Sequence, residues 1–459
     1  MSSIARCLST ALLVVGVSAC APPTSDDEAP TTEAPVSLDS TAASLDPIAE
    51  SYVQLALALG QHDQDYVDAY HGPADWKEAA VNAQKGLEEI RDEAEALLTK
   101  IPDTPDNADD VARLRYSYLR SQIQSLAARA RLVNGEKMTF DEESQALYNA
   151  VSPQLSEDHF LATLAEMEGL LAEEGFTEGT INERYDQFRA QFVIPPDRVD
   201  EVFRTAVDAC RERTLVHIEL PAEESFEIEY VTDKSWSAYN WYQGGFHSLI
   251  QVNTDLPIAI DRAIDLACHE GYPGHHVYNL LLEKNLVKDR GWIEFQVYPL
   301  FSPQSLIAEG SANFGIEMAF PGAERLAYER DVLFPLAGLD PEKAATYEAL
   351  RQLSDRLGYA SNEVGRRYLD GETDAAGAVD WFVKYAAMSR PRGEQRLRFI
   401  EQYRTYVINY NLGQDLVRDW MDAQASPDDT AARWQAFTKL LSTPRLPGDI
   451  VLDESSAGS

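Results

Sequence analysis

Hydrophobic residues recur three and four positions apart along most of the chain, which is the spacing of amphipathic α-helices. The pattern is clearest between residues 46 and 171, and it extends to about Leu441. Turn-forming stretches such as "GPADW" and "PDTPDNADD" separate the helical segments. The pattern therefore predicts a mainly α-helical domain over 46–445, made of a helical lobe at 46–215 and a second part at 216–445.

One region departs from this helical spacing. Residues 216–254 contain "VHIELPAEESFEIEYV" and "WYQGGFHSLIQVNT", which carry β-branched and aromatic residues in partial alternation with a Gly-Gly break. A small β region is therefore predicted just before a histidine-rich segment. The helix that carries this segment is expected to begin at Thr254 or Asp255, with Pro257 in its first turn.

The two ends of the chain differ in character from this domain. Arg6, an apolar run at 11–17 and small residues before Cys20 are typical of a secretory signal, and the segment is too short to span a bilayer. The ending "VSAC" resembles the bacterial lipobox, which implies acylation of Cys20; an ordinary cleaved signal is the alternative. Residues 21–45 indicate a flexible Pro/Thr/acidic tether and 446–459 a polar tail. This layout predicts a protein anchored to the lipid bilayer of the bacterial cell envelope, facing the periplasm or the exterior.

Composition narrows the range of partners. The formal net charge is -37 with a pI near 4.5, which argues against nucleic acid and against binding of the protein surface to anionic lipid. Apart from Cys7 and Cys20, the chain has only Cys210 and Cys268. An oxidising compartment would permit these two to pair, but two cysteines do not make a disulfide framework, and buried free thiols are expected.

The candidate chemistry lies in "ACHEGYPGHHVYN", residues 267–279, which holds three of the eight histidines. In the HExxH motif, two histidines four positions apart bind one zinc ion. Here the fourth position after His269 is Pro273, whose ring conflicts with the carbonyl of His269 in an unbroken helix. If Pro273 and Gly274 bulge out of the helix, His275 falls into the motif's register. We therefore expect His275 to be the second ligand, with His276 as the alternate.

A zinc site needs a third protein ligand, and some zinc enzymes take it from a glutamate on a later helix. The stretch "LIAEGSANFGIEMAF" offers Glu309, and the small residues after it would let its helix approach the motif helix closely. Asn313, one turn later, would orient a ligating histidine. Asp265, one turn before His269, is either a second such acceptor or a solvent-facing acid.

This cluster points to a metal site, because neighbouring imidazoles repel one another when protonated unless a metal or partner holds them. Bound Zn²⁺ activates water, and Glu270 would act as the general base on an amide substrate, which predicts a zinc-dependent peptidase. Tyr410 is the first choice as donor to the developing oxyanion. His247 is the second, on a strand that could line the cleft and pair with an extended peptide. Arg390 and Arg392 either bind a substrate carboxylate, as in a carboxypeptidase, or serve as counterions.

The motif resembles a known signature. "HEGYPGHH" is similar to the HExxPGHH signature of a widespread bacterial family, long catalogued as a domain of unknown function and grouped with gluzincin-type metallopeptidases. "EGSANFGIE" resembles the family's EGWAxYxE element, with Ser311 for Trp and Phe314 for Tyr. "INYNLGQ" resembles a C-terminal element that ends in Tyr-x-x-Gly at Tyr410 and Gly413, although the Pro-Gly-Gln that often precedes it is absent.

The resemblance implies a mainly α-helical, cleft-forming, zincin-like fold. It also implies that His269, a following histidine and Glu309 hold zinc and that Glu270 is the catalytic base. The substrate of such an enzyme, and the end of the peptide that it attacks, do not follow from it.

Two alternatives stay open at this point. A lipid-anchored binding or scaffold protein could keep a structural zinc, with His269, His275, His276 and Glu309 closing a four-ligand site. Glu270 argues against this alternative, since a structural site has no use for a carboxylate at the water position. The same metal chemistry could also hydrolyse a non-peptide amide or ester. Neither the metal in the cell nor the oligomeric state follows from the sequence.

Overall fold

The computed structural model of the chain describes residues 45–234 and 236–451. This part of the chain is mainly α-helical, which confirms the predicted fold class. The α-helices are α1 (Asp46–Leu59), α2 (Ala74–Ala83), α3 (Leu87–Leu98), α4 (Asp110–Val133), α5 (Phe140–Tyr148), α6 (Glu157–Glu173), α7 (Ile181–Arg189), α8 (Val199–Leu215), α9 (Asp261–Leu266), α10 (His275–Leu282), α11 (Pro303–Ala319), α12 (Glu324–Tyr328), α13 (Phe334–Ala337), α14 (Ala344–Arg356), α15 (Ala360–Leu369), α16 (Ala375–Tyr385), α17 (Arg390–Tyr403), α18 (Ile408–Gln424), α19 (Thr430–Leu441) and α20 (Pro447–Ile450).

Shorter turns of other helical types connect several of these helices. The π-helical turns are Ala267–Gly271, Glu283–Lys288 and Glu329–Leu333, and the 3-10 turns are Ala190–Phe192, Pro196–Arg198, Ile293–Gln296, Pro341–Lys343 and Arg404–Val407. The first π-helical turn carries His269 and Glu270, and α10 carries His275 and His276, so the histidine motif does not lie on one regular α-helix.

The predicted β region forms a three-stranded sheet. Its strands are β2 (Ser225–Val231), β3 (Ala238–Gly244) and β4 (His247–Asn253). Strand β4 lies between a parallel β2 and an antiparallel β3. Both edges of β4 are therefore paired, and the expectation that a substrate could add alongside this strand is wrong. The edge strands of this sheet are β2 and β3.

A second, smaller sheet was not predicted. It pairs β1 (Val67–Tyr70) with β5 (Val297–Pro299) in antiparallel register and so joins segments about 230 residues apart. Strands of three and four residues are too short to show alternation in the sequence.

Helix α11 lies in the core and crosses α18 at two glycines. A Cβ atom on Gly310 would lie 2.3 Å from the backbone of Gly413, and one on Gly413 would lie 2.6 Å from the carbonyl oxygen of Leu306, so neither position has room for a side chain. Helix α11 does pack against the π-helical turn that carries His269, as the small residues after Glu309 suggested, but Gly310 itself faces α18. Further along α11, a Cβ atom on Gly315 would lie 3.2 Å from the ring of Pro273.

The ends of the folded part differ slightly from those expected. Leu45, the last residue of the expected tether, is buried directly before α1, and α20 extends into the expected polar tail with Ile450 buried. The signal, Cys20 and the rest of the tether lie outside the described residues. Within the part that the structure describes, no helix is at once long and apolar enough to cross a bilayer.

Cys210 and Cys268 form a disulfide, so the expectation of free thiols is wrong. Cys210 lies on α8, and this helix packs against the π-helical turn that contains Cys268. The bond ties α8 to the residue next to His269.

Candidate metal centre

The backbone around the motif departs from the expected path at its start. Helix α9 begins at Asp261 and not at Thr254 or Asp255, because Asp255 accepts hydrogen bonds from the backbone N–H groups of Asp233 and Lys234. Asp255 therefore stabilises the turn that precedes β3 and caps no helix.

The bulge itself forms at Pro273 and Gly274. After the π-helical turn, the N–H of Gly274 donates to the carbonyl oxygen of Cys268 at 2.9 Å, and α10 then begins at His275. A Cβ atom on Gly274 would lie 1.8 Å from the carbonyl oxygen of His269, so only glycine fits at this position. The chain thereby folds back and brings His275 beside His269.

Three side chains converge at this point. The Nε2 atoms of His269 and His275 lie 3.1 Å apart. Glu309 Oε2 lies 3.3 Å from His269 Nε2, and Glu309 Oε1 lies 3.6 Å from His275 Nε2. Glu270 is buried beside them, with a carboxylate oxygen within 4.8 Å of a ring nitrogen of each histidine.

His276 does not join this cluster. Its Nδ1 lies 2.9 Å from Ser248 Oγ and its Nε2 lies 3.1 Å from Glu224 Oε2, in a fully buried position. Both ring nitrogens are thus occupied by protein partners. Of the two candidates for the second ligand, the structure brings His275 to the cluster and sends His276 to a separate polar network.

Asn313 fixes the hydrogen position on His269. The Nδ2 group of Asn313 donates to the carbonyl oxygen of Tyr410 at 2.8 Å, which leaves its Oδ1, 2.9 Å from His269 Nδ1, as an acceptor. Asn313 therefore holds a hydrogen of His269 on Nδ1, which directs the other ring nitrogen, Nε2, at Glu309 as the atom able to bind a metal.

Asp265 is not a partner of the histidines. Its carboxylate pairs with Arg325 at 2.8 Å and with Arg262 at 3.2 Å. Neither alternative considered for this residue is right, because Asp265 is neither a histidine acceptor nor a solvent-facing acid; its side chain is 17% exposed and held by two arginines.

The two carboxyl groups of the cluster have opposite electrostatic environments. Burial raises the pKa of Glu270 to about 7, and the negative charge of Glu309 adds to this effect. Burial opposes ionisation of Glu309 as well, but His275 and His269 facing it hold the pKa of its carboxyl well below the usual range. One carboxyl can therefore exchange a proton near neutral pH while the other stays ionised.

The arrangement fits a zinc ion. Tetrahedral coordination at zinc–nitrogen distances of about 2.0–2.1 Å holds ligand atoms about 3.3 Å apart. The three separations between the two Nε2 atoms and the Glu309 oxygens are 3.1, 3.3 and 3.6 Å. Moreover, Glu309 Oε2 is buried without a hydrogen-bond donor among the described residues, and it faces an Nε2 that is itself an acceptor. Two such acceptors repel each other unless a proton or a metal ion lies between them, and zinc would satisfy both.

The cluster opens into a cleft of about 1490 Å³. His269, Glu270, His275, Glu309 and Tyr410 line this cleft, and Arg392 lies further along its wall. The volume is larger than a typical small-molecule pocket and is sufficient for several residues of an extended peptide.

Two of the other predicted substrate contacts lie elsewhere. His247, the first residue of β4, is not among the described residues that line the cleft, and its Nδ1 lies 3.0 Å from the Oγ of Ser225, the first residue of β2. Arg390 does not line the cleft either; it forms an exposed ion pair with Asp380. The structure therefore brings neither His247 nor Arg390 to the cleft, and the ion pair of Arg390 agrees with its alternative role as a counterion.

Tyr406, which was not predicted from the sequence, contacts the cluster directly. Its hydroxyl donates to Glu309 Oε1 at 2.6 Å. Tyr406 lies four residues before Tyr410, so helical spacing from the Tyr-x-x-Gly element could have indicated it.

Asp68 was also missed, because its strand was not predicted. Asp68 accepts a hydrogen bond from the hydroxyl of Tyr239, and both residues line the cleft. Burial raises the pKa of Asp68 to about 6. Nothing in the sequence signals that this carboxyl, some 200 residues before the motif, lies on the same cleft.

Comparison with known proteins leaves the chain without a family assignment. No protein-family model matches it, and no curated protein matches its sequence.

Several solved structures are similar in outline. A proposed lipoprotein from Colwellia psychrerythraea has a TM-score of 0.49 and 13% identity over 81% of this chain and 70% of that one. Metallocarboxypeptidase 1 from Trypanosoma cruzi has a TM-score of 0.48 and 12% identity over 90% of this chain and 94% of its own. A proposed lipoprotein of unknown function from Shewanella oneidensis has a TM-score of 0.42 and 13% identity over 86% of this chain and 82% of its own. Since each TM-score lies below 0.5, the function has to be argued from this chain's own residues.

Proposed function

We propose that the chain is a zinc-dependent peptidase. The observation that carries the proposal is the convergence of the Nε2 atoms of His269 and His275 with a buried Glu309 oxygen that lacks a donor among the described residues. Glu270 lies beside this point, and the cleft gives a substrate access to it. Three protein ligands with one open position are typical of catalytic zinc sites, whereas structural sites close four.

His269, His275 and Glu309 would hold the ion. Zinc in such a site polarises a carbonyl group and makes bound water a nucleophile near neutral pH. His276 cannot complete a closed four-ligand site, because both of its ring nitrogens have partners. The structural-zinc alternative therefore has less support than the catalytic one.

Glu270 would move the proton. Its carboxylate takes a proton from water as the water oxygen bonds to the amide carbon, and it gives the proton to the amine nitrogen as the C–N bond breaks. A group with a pKa of about 7 can do both near neutral pH. Its position is fixed from the sheet, since the side-chain amide of Asn240 on β3 donates to the Glu270 carbonyl oxygen at 2.6 Å.

Tyr410 and β3 would handle the substrate. The Tyr410 hydroxyl is the proposed donor to the carbonyl oxygen as negative charge develops on it. Strand β3 is the edge of its sheet, and Tyr239, Asn240 and Trp241 of this strand line the cleft. An extended peptide could add to this edge through backbone hydrogen bonds.

The experiment combines metal analysis with a peptide-library digest. Purified full-length chain should contain about one zinc per chain and cleave peptides, and a chelator should abolish cleavage until zinc is restored. Glu270→Gln should keep its zinc and lose roughly 1000-fold or more in kcat/KM. Glu317→Gln is the matched control, because Glu317 lies on α11 two turns after Glu309 and pairs with Arg418.

The outcomes separate the alternatives. Full activity in Glu270→Gln would remove the general-base assignment. One zinc with no cleavage of any peptide would favour hydrolysis of another amide or ester, or a structural role.

We further propose that Cys20 carries a lipid that anchors the enzyme at the cell envelope. The lipobox-like "VSAC" and the acidic Pro/Thr-rich tether support this. A Cys20→Ala variant should move from the membrane fraction to the soluble fraction with its zinc content unchanged. Retention of the variant in the membrane fraction would contradict the lipid anchor.

A further inference from the structure

Arginines line much of the cleft, and among the described residues all but one of them pair with a carboxylate of the protein itself. A carboxylate lies within 4.0 Å of each paired arginine; these are Arg189, Arg262, Arg325, Arg351, Arg356, Arg392 and Arg418. Among the described residues, Arg396 is the cleft arginine with no such carboxylate. The chain has 76 acidic and 39 basic side chains, so a shortage of acids does not explain this.

The protein holds the Arg396 side chain in place without neutralising it. Its Nε donates to Ser361 Oγ at 3.0 Å. Its guanidinium carbon lies 4.9 Å from the ring centroid of Phe399 and 5.9 Å from that of Tyr410. Ring contacts orient a guanidinium, but they do not replace the carboxylate that would offset the cost of removing its charge from water.

Two tyrosines connect Arg396 with the metal ligands. The guanidinium contacts Tyr410, the rings of Tyr410 and Tyr406 lie 5.8 Å apart, and Tyr406 donates to Glu309. Arg396 and the histidine–glutamate cluster thus flank one tyrosine pair in a single cleft. An extended peptide advances about 3.5 Å per residue, so a chain whose amide lies at the cluster needs few further residues to reach Arg396.

We propose that Arg396 binds the C-terminal carboxylate of the substrate, so that the enzyme cleaves peptides from their carboxyl end. This inference rests on the proposed peptidase function. With Nε bound to Ser361, the two terminal nitrogens of the guanidinium remain to hold a carboxylate through two parallel hydrogen bonds. The role expected of Arg390 and Arg392 passes to Arg396, since Arg390 pairs with Asp380 and Arg392 Nε lies 3.9 Å from Asp186.

The test compares two N-acetylated peptides on the zinc-loaded full-length chain. The peptides are identical except that one ends in a free carboxylate and the other in an amide. The wild-type enzyme should prefer the free acid on the order of 100-fold in kcat/KM, because the amide leaves the guanidinium without its partner. Arg396→Gln should lose about the same factor on the free acid and nothing on the amide. Arg396→Lys should recover only part of the loss, because an ammonium lacks the paired donors.

Arg392→Gln is the matched control, since Arg392 lies on the same helix and lines the same cleft but is already paired. This variant should keep the free-acid preference. Zinc content and melting temperature should equal those of the wild type in every variant. Binding of the free-acid peptide to Glu270→Gln, measured by calorimetry, should weaken by a similar factor when Arg396→Gln is added.

Several outcomes would overturn the inference. If the wild-type chain cleaves the free-acid and amide peptides equally fast, the role of Arg396 is contradicted while the proposed peptidase function stands. This comparison uses the wild-type protein only, so it does not depend on the folding of a variant. A third peptide ends in a glutamate whose terminal carboxylate is amidated. If it is cleaved as fast as the free-acid peptide, Arg396 binds a side-chain carboxylate, and the inference is contradicted. If the wild-type chain cleaves no peptide at all, the proposed function itself fails and the inference falls with it.

Discussion

His275 and His276 are neighbours in the chain but lie in opposite chemical surroundings. His275 points its Nε2 at the Nε2 of His269 and at the carboxylate of Glu309. His276, one residue later, has a partner on each ring nitrogen, Ser248 on one side and Glu224 on the other. Both histidines are largely buried, so burial does not distinguish them.

The two histidines differ in whether the polar atoms around them all have hydrogen-bond partners. Around His276 the donors and acceptors can be matched, and Glu224 also accepts hydrogen bonds from Tyr272 and Arg211. Beside His275, the Nε2 of His269 faces a Glu309 oxygen that has no hydrogen-bond donor among the described residues, and a bound cation would satisfy both atoms. The histidine with complete partners is structural, and the one with incomplete partners is the better candidate for a metal ligand.

The largest expected effect comes from removing His275. His275→Ala should weaken zinc binding roughly 1000-fold or more, because it removes one of the three ligands. Removing only a hydrogen-bond partner of a ligand already lowers metal affinity by about 10–100-fold. The stability of the zinc-free protein should change little. Competition with a chromophoric chelator measures the affinity. Wild-type affinity in this variant would remove His275 from the site.

His276→Ala should have the converse effect. Zinc content should stay at the wild-type level, while the free energy of unfolding of the zinc-free protein should fall by about 2–4 kcal/mol, since Glu224 and Ser248 lose a buried partner. Urea unfolding gives the free energy. Loss of zinc with unchanged stability would exchange the roles of the two histidines.

Asn313→Ala should produce a smaller effect on the metal. Without the Oδ1 acceptor, the hydrogen of His269 is no longer fixed on Nδ1, and zinc affinity should fall about 10–100-fold. Asn313→Asp is the matched control, because it keeps the acceptor and should lose less. Equal affinity in all three proteins would show that Asn313 does not position His269.

The smallest expected effect is on stability at low pH, and it arises from Glu224, the carboxylate that pairs with His276. Burial acts to raise the pKa of Glu224, but hydrogen bonds from His276, Tyr272 and Arg211 outweigh it and lower the pKa from 4.5 to about 2. The folded state therefore binds fewer protons than the unfolded state between these values. The stability that Glu224 contributes is complete above about pH 4.5 and is lost as the pH falls toward about 2.

Wild-type and Glu224→Gln proteins, both zinc-free, should reveal this dependence. The stability advantage of the wild type should shrink by about 1–2 kcal/mol between pH 5 and pH 3. Thermal unfolding at several pH values measures it. An advantage that grew on acidification would contradict the lowered pKa of Glu224.

The sequence predicted those parts of the site that local chain geometry controls. The clash of Pro273 with a helical backbone and the freedom of Gly274 follow from covalent structure, so the bulge that puts His275 in reach of His269 could be expected. Asn313 one turn after Glu309 follows from the helical repeat in the same way. The start of the motif helix was misplaced, because Asp255 has a tertiary partner that outweighs its tendency to cap a helix.

Long-range packing decided the rest. The crossing of α11 and α18 at Gly310 and Gly413 fixes which tyrosine reaches Glu309, and β1 brings Asp68 to the cleft from far away in the chain. The pairing of Cys210 with Cys268, and the absence of a carboxylate partner for Arg396 among the described residues, also depend on which helices lie side by side. The sequence alone determined the helical fold class and the residues able to bind a metal, since spacing and side-chain chemistry are local. The tertiary structure alone decided which side chains meet and which stay unpaired, because these contacts join segments that the chain's local geometry does not relate.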